Sequence, residues 1–239
     1  MPEAETARTP SSPKWEVDAR ESIKLALRTY SKPLQDLVGR DANEGDTRLL
    51  VTDFLCTALG YDKYEDLTTE FAVRGEFADY GVRIEKQLVA FIEVKRAAQK
   101  LSVRHLRQVE TYAVKEGLEW ILLTNGQTWQ AYHVYAITGQ QVETHLALEV
   151  DLLGEGTASK KIDLLLYLHR SAMKRDLISD LWKRKAATSP TALADVLLSE
   201  HVLDAIRKEI RQASRYNPEL EELARILRNE VIRSELILK

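Results

Sequence analysis

The chain has 239 residues, 44% of them hydrophobic and 30% charged, which suits one or two globular domains with a sizeable core. Its formal net charge of -3 gives no global attraction to a polyanion, so a nucleic-acid partner has to be held by a local basic patch. Cys56 is the single cysteine, which excludes an internal disulfide and a cysteine-based zinc site. No apolar run approaches the ~20 residues of a membrane span and no signal-peptide pattern opens the chain, so a cytoplasmic protein with no membrane partner is expected.

Residues 1–13 mix prolines with Ser, Thr and Ala and predict a disordered tail. Val17, Ile23, Leu25 and Leu27 predict a helix from Trp15 to Tyr30, with Leu34, Leu37 and Val38 forming a short second piece after Pro33. Asp41-Ala42-Asn43 supplies cap chemistry for a helix from Glu44 to Leu59 that stops at Gly60. Glu44 falls near the face of Val51 and Leu55, with Arg48 one turn on and able to pair with it. Taken alone, Glu44 reads as a solvated first-turn acid favoured by the helix dipole.

Leu67 to Val73 predicts a first strand, and Arg74-Gly75 a turn into a second strand carrying Asp79. After a break at Glu85 to Gln87 comes Leu88-Val-Ala-Phe-Ile-Glu93-Val-Lys95. Strand side chains alternate faces, so Glu93 and Lys95 share the face of Val89 and Phe91, while Leu88, Ala90, Ile92 and Val94 line the other. Both faces are apolar up to the charged end, which predicts a central strand covered on both sides. A carboxylate and an ammonium are expensive to desolvate there without partners.

The chain then turns basic with Arg96, Lys100, Arg104 and Arg107. Ser102 predicts the cap of a helix from Val103 to Glu116, ended by Gly117. Its stripe of Arg104, Gln108 and Tyr112 reads either as a solvent face or as a lining of the cleft that follows Glu93 and Lys95. Strands from Glu119 to Thr124 and Gln127 to Tyr135 are joined by Asn125-Gly126, and a further strand covers Gln141 to Val150. The order predicts an α/β fold: a mixed sheet flanked by helices. Composition changes at Gly154 to Gly156, and an all-helical extension of three or four helices follows, its basic segment (Arg170, Lys174, Arg175, Lys183, Arg184, Lys185) reading as a solvated face.

Hard divalent cations take oxygen ligands, often one or two carboxylates with water and substrate phosphate. Asp79 and Glu93 can supply that pair, and Glu44 can bind the ion's water shell from the opposite wall. Such an ion polarises a phosphodiester, while Lys95 orients or helps deprotonate the water and stabilises developing negative charge. The five histidines show no metal-ligand spacing, and Ser and His form no nucleophile motif. The tryptophans read as core or hairpin packing.

Several motifs carry a resemblance. Asn43-Glu44-Gly-Asp-Thr47-Arg48 through Leu59-Gly60-Tyr61-Asp62, Ala78-Asp79-Tyr80, Ile92-Glu93-Val94-Lys95, Gln108-x-x-x-Tyr112 and Leu123-Thr124-Asn125-Gly126 with Trp129 resemble the N-terminal nuclease domain of type I restriction enzyme R subunits. That group lies within the PD-(D/E)xK restriction-endonuclease-like superfamily, and the match runs from Ala42 to Tyr135. The resemblance implies a restriction-endonuclease-like nuclease domain over residues 14–153, with the helical extension over 157–239. It makes Glu44, Asp79, Glu93 and Lys95 the metal and catalytic residues, with Mg2+ or Mn2+ as cofactor and Asp79, Glu93 and Glu44 as its ligands. Gln108 and Tyr112 are to support DNA engagement, with Arg104, Arg48, Arg96 and Lys100 as further nucleic-acid-binding positions.

Type I R subunits continue into a helicase motor, whereas these residues carry no Gly-x-x-x-x-Gly-Lys-Ser/Thr phosphate loop, so ATP-driven translocation is not expected from them. The expectation is a magnesium-dependent DNA endonuclease acting in defence or a mobile element, with residues 157–239 available for a homodimer or a partner protein. The alternatives are a non-cleaving nucleic-acid-binding or partner-dependent regulatory module on the same fold, and an interaction scaffold built on the helical part.

Overall fold

The computed structural model describes residues 12–73, 76–136 and 142–237. The tail expected over 1–13 lies outside the described residues except for its last two, as do the Arg74-Gly75 turn and Gln141. Helices α1 (Lys14–Gly39) and α2 (Glu44–Thr57) precede strands β1 (Leu67–Val73), β2 (Glu76–Ile84) and β3 (Gln87–Val94). A 3-10 turn (Val103–Leu106) leads into α3 (Arg107–Lys115), followed by β4 (Trp120–Thr124), β5 (Thr128–Ala136) and β6 (Val142–Asp151). The six strands form one sheet in sequence order, antiparallel throughout except where β3 and β4 run parallel. A parallel pair needs a crossover, and α3 supplies it. The expected mixed α/β architecture is the one observed.

Two helical layers sandwich the sheet. On α3 and the turn before it, Leu106, Val109, Tyr112 and Ala113 are buried against Phe91, Ile121, Leu123, Tyr132 and Val134. Burying the larger of these side chains contributes roughly 2 kcal/mol each. The α2 layer is centred on Phe54, whose ring lies 5.2 Å from Trp129 and 5.7 Å from Tyr30 of α1. All five residues of β4 are buried, as an apolar strand between two neighbours under two layers must be.

The break expected at Pro33 does not occur, since α1 runs through it. An interior proline costs a helix about 3 kcal/mol. The buried positions Ala19, Ile23, Ala26, Leu34 and Leu37 keep helical phase on both sides of it, so one continuous face outweighs the lost hydrogen bond.

The chain divides into two compact units, the first ending at Ile178 and the second beginning at Ser179. Helices α4 (Ala158–Leu166) and α5 (Arg170–Met173) belong to the first, where α4 packs on α1 and β6. Part of the basic segment expected to be a solvated face is engaged there. Arg170 grips the buried carboxylate of Asp66 at 2.6 and 3.1 Å, Lys174 pairs with Glu85, and the Arg175 guanidinium lies 4.6 Å from the Trp15 ring centroid. Periodicity could not reveal these pairings because the partners come from distant parts of the chain. The second unit contains most of α6 (Leu177–Ala187) with α7 (Pro190–Leu197), α8 (Glu200–Ser214) and α9 (Leu220–Ile226). Ser189 caps α7 by accepting the Ala192 N–H, and Leu203 of α8 and Leu223 of α9 are buried within it. Among the described residues no helix is long and apolar enough to cross a membrane.

His169 accepts the Ser171 N–H at 3.0 Å and is buried over Gly60, where an added Cβ would lie 2.8 Å from its Nε2. Burial, assisted by Arg170, pushes its pKa down to about 4. A base whose pKa is depressed on folding contributes stability that is present above the unfolded pKa and lost as pH falls. Between about pH 6.5 and pH 4 this residue should therefore cost the protein at most about 3 kcal/mol. Urea unfolding of wild type and His169→Asn at pH 7 and pH 4.5 reads it: the wild type should lose more stability on acidification than the variant.

Candidate active site

The site is assembled from the start of α2 and the ends of β2 and β3. Asn43 accepts the Asp46 N–H at 2.9 Å, which satisfies one of the free donors of the first turn and makes Glu44 the first helical residue. Glu44 is partly exposed, and its Oε2 lies 3.8 Å from the Lys95 Nζ. The expected pairing of Glu44 with Arg48 is replaced. Arg48 donates instead to Asp79 Oδ1 at 3.1 Å and stands 3.9 Å from Glu70 Oε1. Asp79 is only 13% exposed, and a cation is attracted more strongly by a carboxylate shielded from water.

Strands β2 and β3 pair Tyr80 with Ile92, and one step further Asp79 comes opposite Glu93. There the ladder between β2 and β3 ends, while the one between β3 and β4 continues, pairing Val94 with Thr124 and sending the Lys95 N–H to the Thr124 carbonyl at 2.8 Å. The Val94 N–H is left facing β2, and Asp79 Oδ2 accepts it at 2.7 Å. The chain also turns at Asp79. The Tyr80 hydroxyl reaches α2, at Thr52 and the Arg48 carbonyl, whereas Ala78 packs in the cluster beneath α3. Strict alternation would place both on one face. Glu70, across from Asp79 on β1, has a left-handed backbone with φ 48°.

Glu93 and Lys95 point the same way, as the alternation requires, and Lys95 Nζ donates to Glu93 Oε1 at 2.6 Å. Both are largely withdrawn from water. Burial is the largest influence on Glu93 and pushes its pKa up; the Lys95 hydrogen bond opposes this, while Asp79 and Glu44 add to it. For Lys95, burial is again the largest influence and pulls the pKa down, but Glu93, Glu44 and Asp79 together outweigh it and hold the ammonium above its ordinary value. Both directions have one origin, an excess of carboxylate charge around one amine. The four residues expected to act together therefore do converge.

That excess is what a hard cation relieves, and two carboxylates with water complete a magnesium shell. Asp79 and Glu93 would supply the two carboxylates of such a shell. Among the described residues no three His, Cys, Asp or Glu side chains are grouped closely enough to hold a metal, so Glu44 stands at the rim with Lys95 rather than in a three-acid cradle.

The positions expected to meet nucleic acid divide. Lys100 and Arg104 are exposed, and Arg96 is exposed with its Nη1 3.3 Å from Asp41. Arg48 is committed to Asp79. Tyr112 is only 2% exposed and lies in the α3 core, with no partner for its hydroxyl among the described residues, so it is not part of a surface stripe. The stripe assumed one α-helix from Val103, but the first turn is 3-10, which has three residues per turn and rotates Arg104 out of line with Tyr112. The Gln108 side chain lies outside the described residues.

Thr47 and Asn125 support the site without having been singled out for it. The buried Thr47 hydroxyl accepts the Ala97 N–H at 3.0 Å and donates to the Asn43 carbonyl, and Asn125 Nδ2 donates to the Gln99 carbonyl at 2.9 Å. They fasten the loop after Lys95 to α2 and to the β4–β5 hairpin. Their signal was their place inside the quoted motifs.

A mixed sheet that delivers an acid from one strand and an acid and a lysine from the next, under the start of a helix, defines a restriction-endonuclease-like α/β domain. Residues 43–146 match the family described as the type I restriction enzyme R protein N terminus, the same family that the motifs resemble. Searches among curated proteins and among solved structures return no match.

Replacing Thr47 by Val keeps the shape but strands the buried Ala97 N–H, and should cost about 1–3 kcal/mol. Thr47→Ser keeps the acceptor and should cost clearly less. Urea midpoints of the two variants check the difference.

Proposed function

We propose that the protein is a magnesium- or manganese-dependent DNA endonuclease of PD-(D/E)xK type, related to type I restriction R subunits and serving a defence system or a mobile element. The convergence of Glu44, Asp79, Glu93 and Lys95 carries this reading, and the family match over residues 43–146 supports it. Asp79 and Glu93 would hold the cation. When bound, it polarises the phosphodiester and neutralises charge on the leaving oxygen. Lys95, whose pKa the surrounding carboxylates hold above its ordinary value, is given the role of donor. Its ammonium, held by Glu93, orients the attacking water and stabilises negative charge as it develops on phosphorus oxygens. Glu44 keeps that ammonium directed into the site. Arg96, Lys100 and Arg104 follow directly on the site in sequence and supply positive charge for the DNA backbone, which net charge alone does not.

A second reading, a non-cleaving or partner-dependent nucleic-acid-binding module, is favoured by one observation: both Asp79 oxygens are already engaged within the chain. Purified protein with magnesium on plasmid and single-stranded DNA separates the two. Cleavage should occur and fall at least about 100-fold in both Asp79→Ala and Lys95→Ala. Cleavage equal to wild type in both variants refutes the nuclease assignment, and metal-independent binding without cleavage selects the second reading.

A further inference from the structure

Asp79 has two oxygens with different duties. Oδ2 takes the Val94 N–H and is tied to the sheet, whereas among the described residues Oδ1 takes only the side chain of Arg48. A guanidinium and a divalent cation repel each other strongly at such short range, so they cannot both sit on Oδ1. Arg48 is in addition fixed at its backbone, while its tip is held by Asp79. Its carbonyl accepts from the Tyr80 hydroxyl at 3.0 Å and from Thr52 Oγ1 at 2.8 Å, so a rearrangement has to be a swing of the side chain. A second acceptor waits within that swing. Glu70 Oε1 is 3.9 Å from Arg48 Nη1, and Glu70 is mostly exposed with no closer cation among the described residues. It occupies the position across from Asp79 on β1 and is held there in a left-handed conformation uncommon for a glutamate.

We propose that Arg48 is a placeholder cation: it neutralises Asp79 in the metal-free protein and passes to Glu70 when a divalent cation binds Asp79 and Glu93. This rests on the metal-dependent reading above. Arg48 is then a positioning residue that lowers the apparent affinity for the metal, and Glu70 is the group that makes its departure easy. The arrangement keeps the Asp79 carboxylate from being buried unpaired before metal arrives.

The test is calorimetric titration of the full chain with magnesium chloride, repeated with manganese, which needs no DNA and no cleavage. Arg48→Gln removes the competitor and should tighten binding about tenfold, the scale of one partly screened ion pair. Glu70→Gln removes the receiving site and should weaken binding about threefold. The double variant should match Arg48→Gln alone, because Glu70 acts only through Arg48. Arg48→Lys, which keeps the charge and guards against a folding artefact, should stay close to wild type, and thermal melts in EDTA establish that each variant is folded. If wild type binds magnesium, Asp79→Ala abolishes that binding and Arg48→Gln binds with wild-type affinity, the placeholder role is overturned while the metal site stands. Equal affinity of Glu70→Gln and wild type overturns the transfer to Glu70. If neither wild type nor Arg48→Gln binds magnesium or manganese, the metal-dependent reading fails and takes this inference with it.

Discussion

The bond from the Val94 N–H to the Asp79 carboxylate governs the rest of the site. Strand β3 pairs with β2 and β4 at once through Phe91 and Ile92, but beyond Ile92 only the pairing with β4 continues, and there a fully buried residue points its N–H at β2 without a ladder partner. Leaving that donor unpaired would cost about 1–3 kcal/mol. Asp79 fills the gap with a side-chain oxygen, so the ladder can end without an orphaned group. The same bond fixes where the carboxylate lies, and Glu93 and Lys95, on either side of Val94, are delivered beside it. Sheet topology and site geometry are thus one feature.

The charge gathered there is not a stabilising device. Asp79, Glu93 and Lys95 side chains are 13, 14 and 18% exposed, and ionised groups so far withdrawn from water gain from one another little more than they lose in hydration. Three carboxylates face one lysine and one arginine, which leaves the pair Glu93–Lys95 in surroundings that favour keeping its proton. A fold optimised for stability would place apolar residues at this end of the sheet. Glu44, Asp79 and Glu93 outnumber the two cations beside them, so the end of the sheet keeps an excess of carboxylate charge.

Much of this was legible in the sequence because it depends on local pattern. The apolar run ending in Glu93 and Lys95 declares a central strand, Asn43 declares the start of α2, and Asn125-Gly126 declares the turn between β4 and β5, with Gly126 at φ 80°. What could not be read depends on tertiary choice. Glu44 and Asp79 compete for Arg48, and sequence spacing favours the first while burial favours the second. Pro33 argues for a break that a continuous buried face overrides, and the 3-10 turn before α3 shifts the phase on which the Tyr112 reading relied. Asp66 and Arg170 are 104 residues apart, a separation over which no periodicity operates.

That last pair bears on the site through α2. At its beginning α2 is capped by Asn43 and fastened by Thr47 to the loop after Lys95. Just beyond its end, the Leu59 carbonyl accepts the Arg170 N–H at 2.8 Å, the Tyr61 hydroxyl donates to the Leu168 carbonyl at 2.9 Å, and Asp66 receives the Arg170 guanidinium. The helix that carries Glu44 and Arg48 is therefore held at both ends, once by the sheet and once by residues 168–170. A helix pinned only at its first turn would let Glu44 drift relative to Lys95. The α4–α5 segment after β6 is consequently part of what positions the site, although it contributes no group to it.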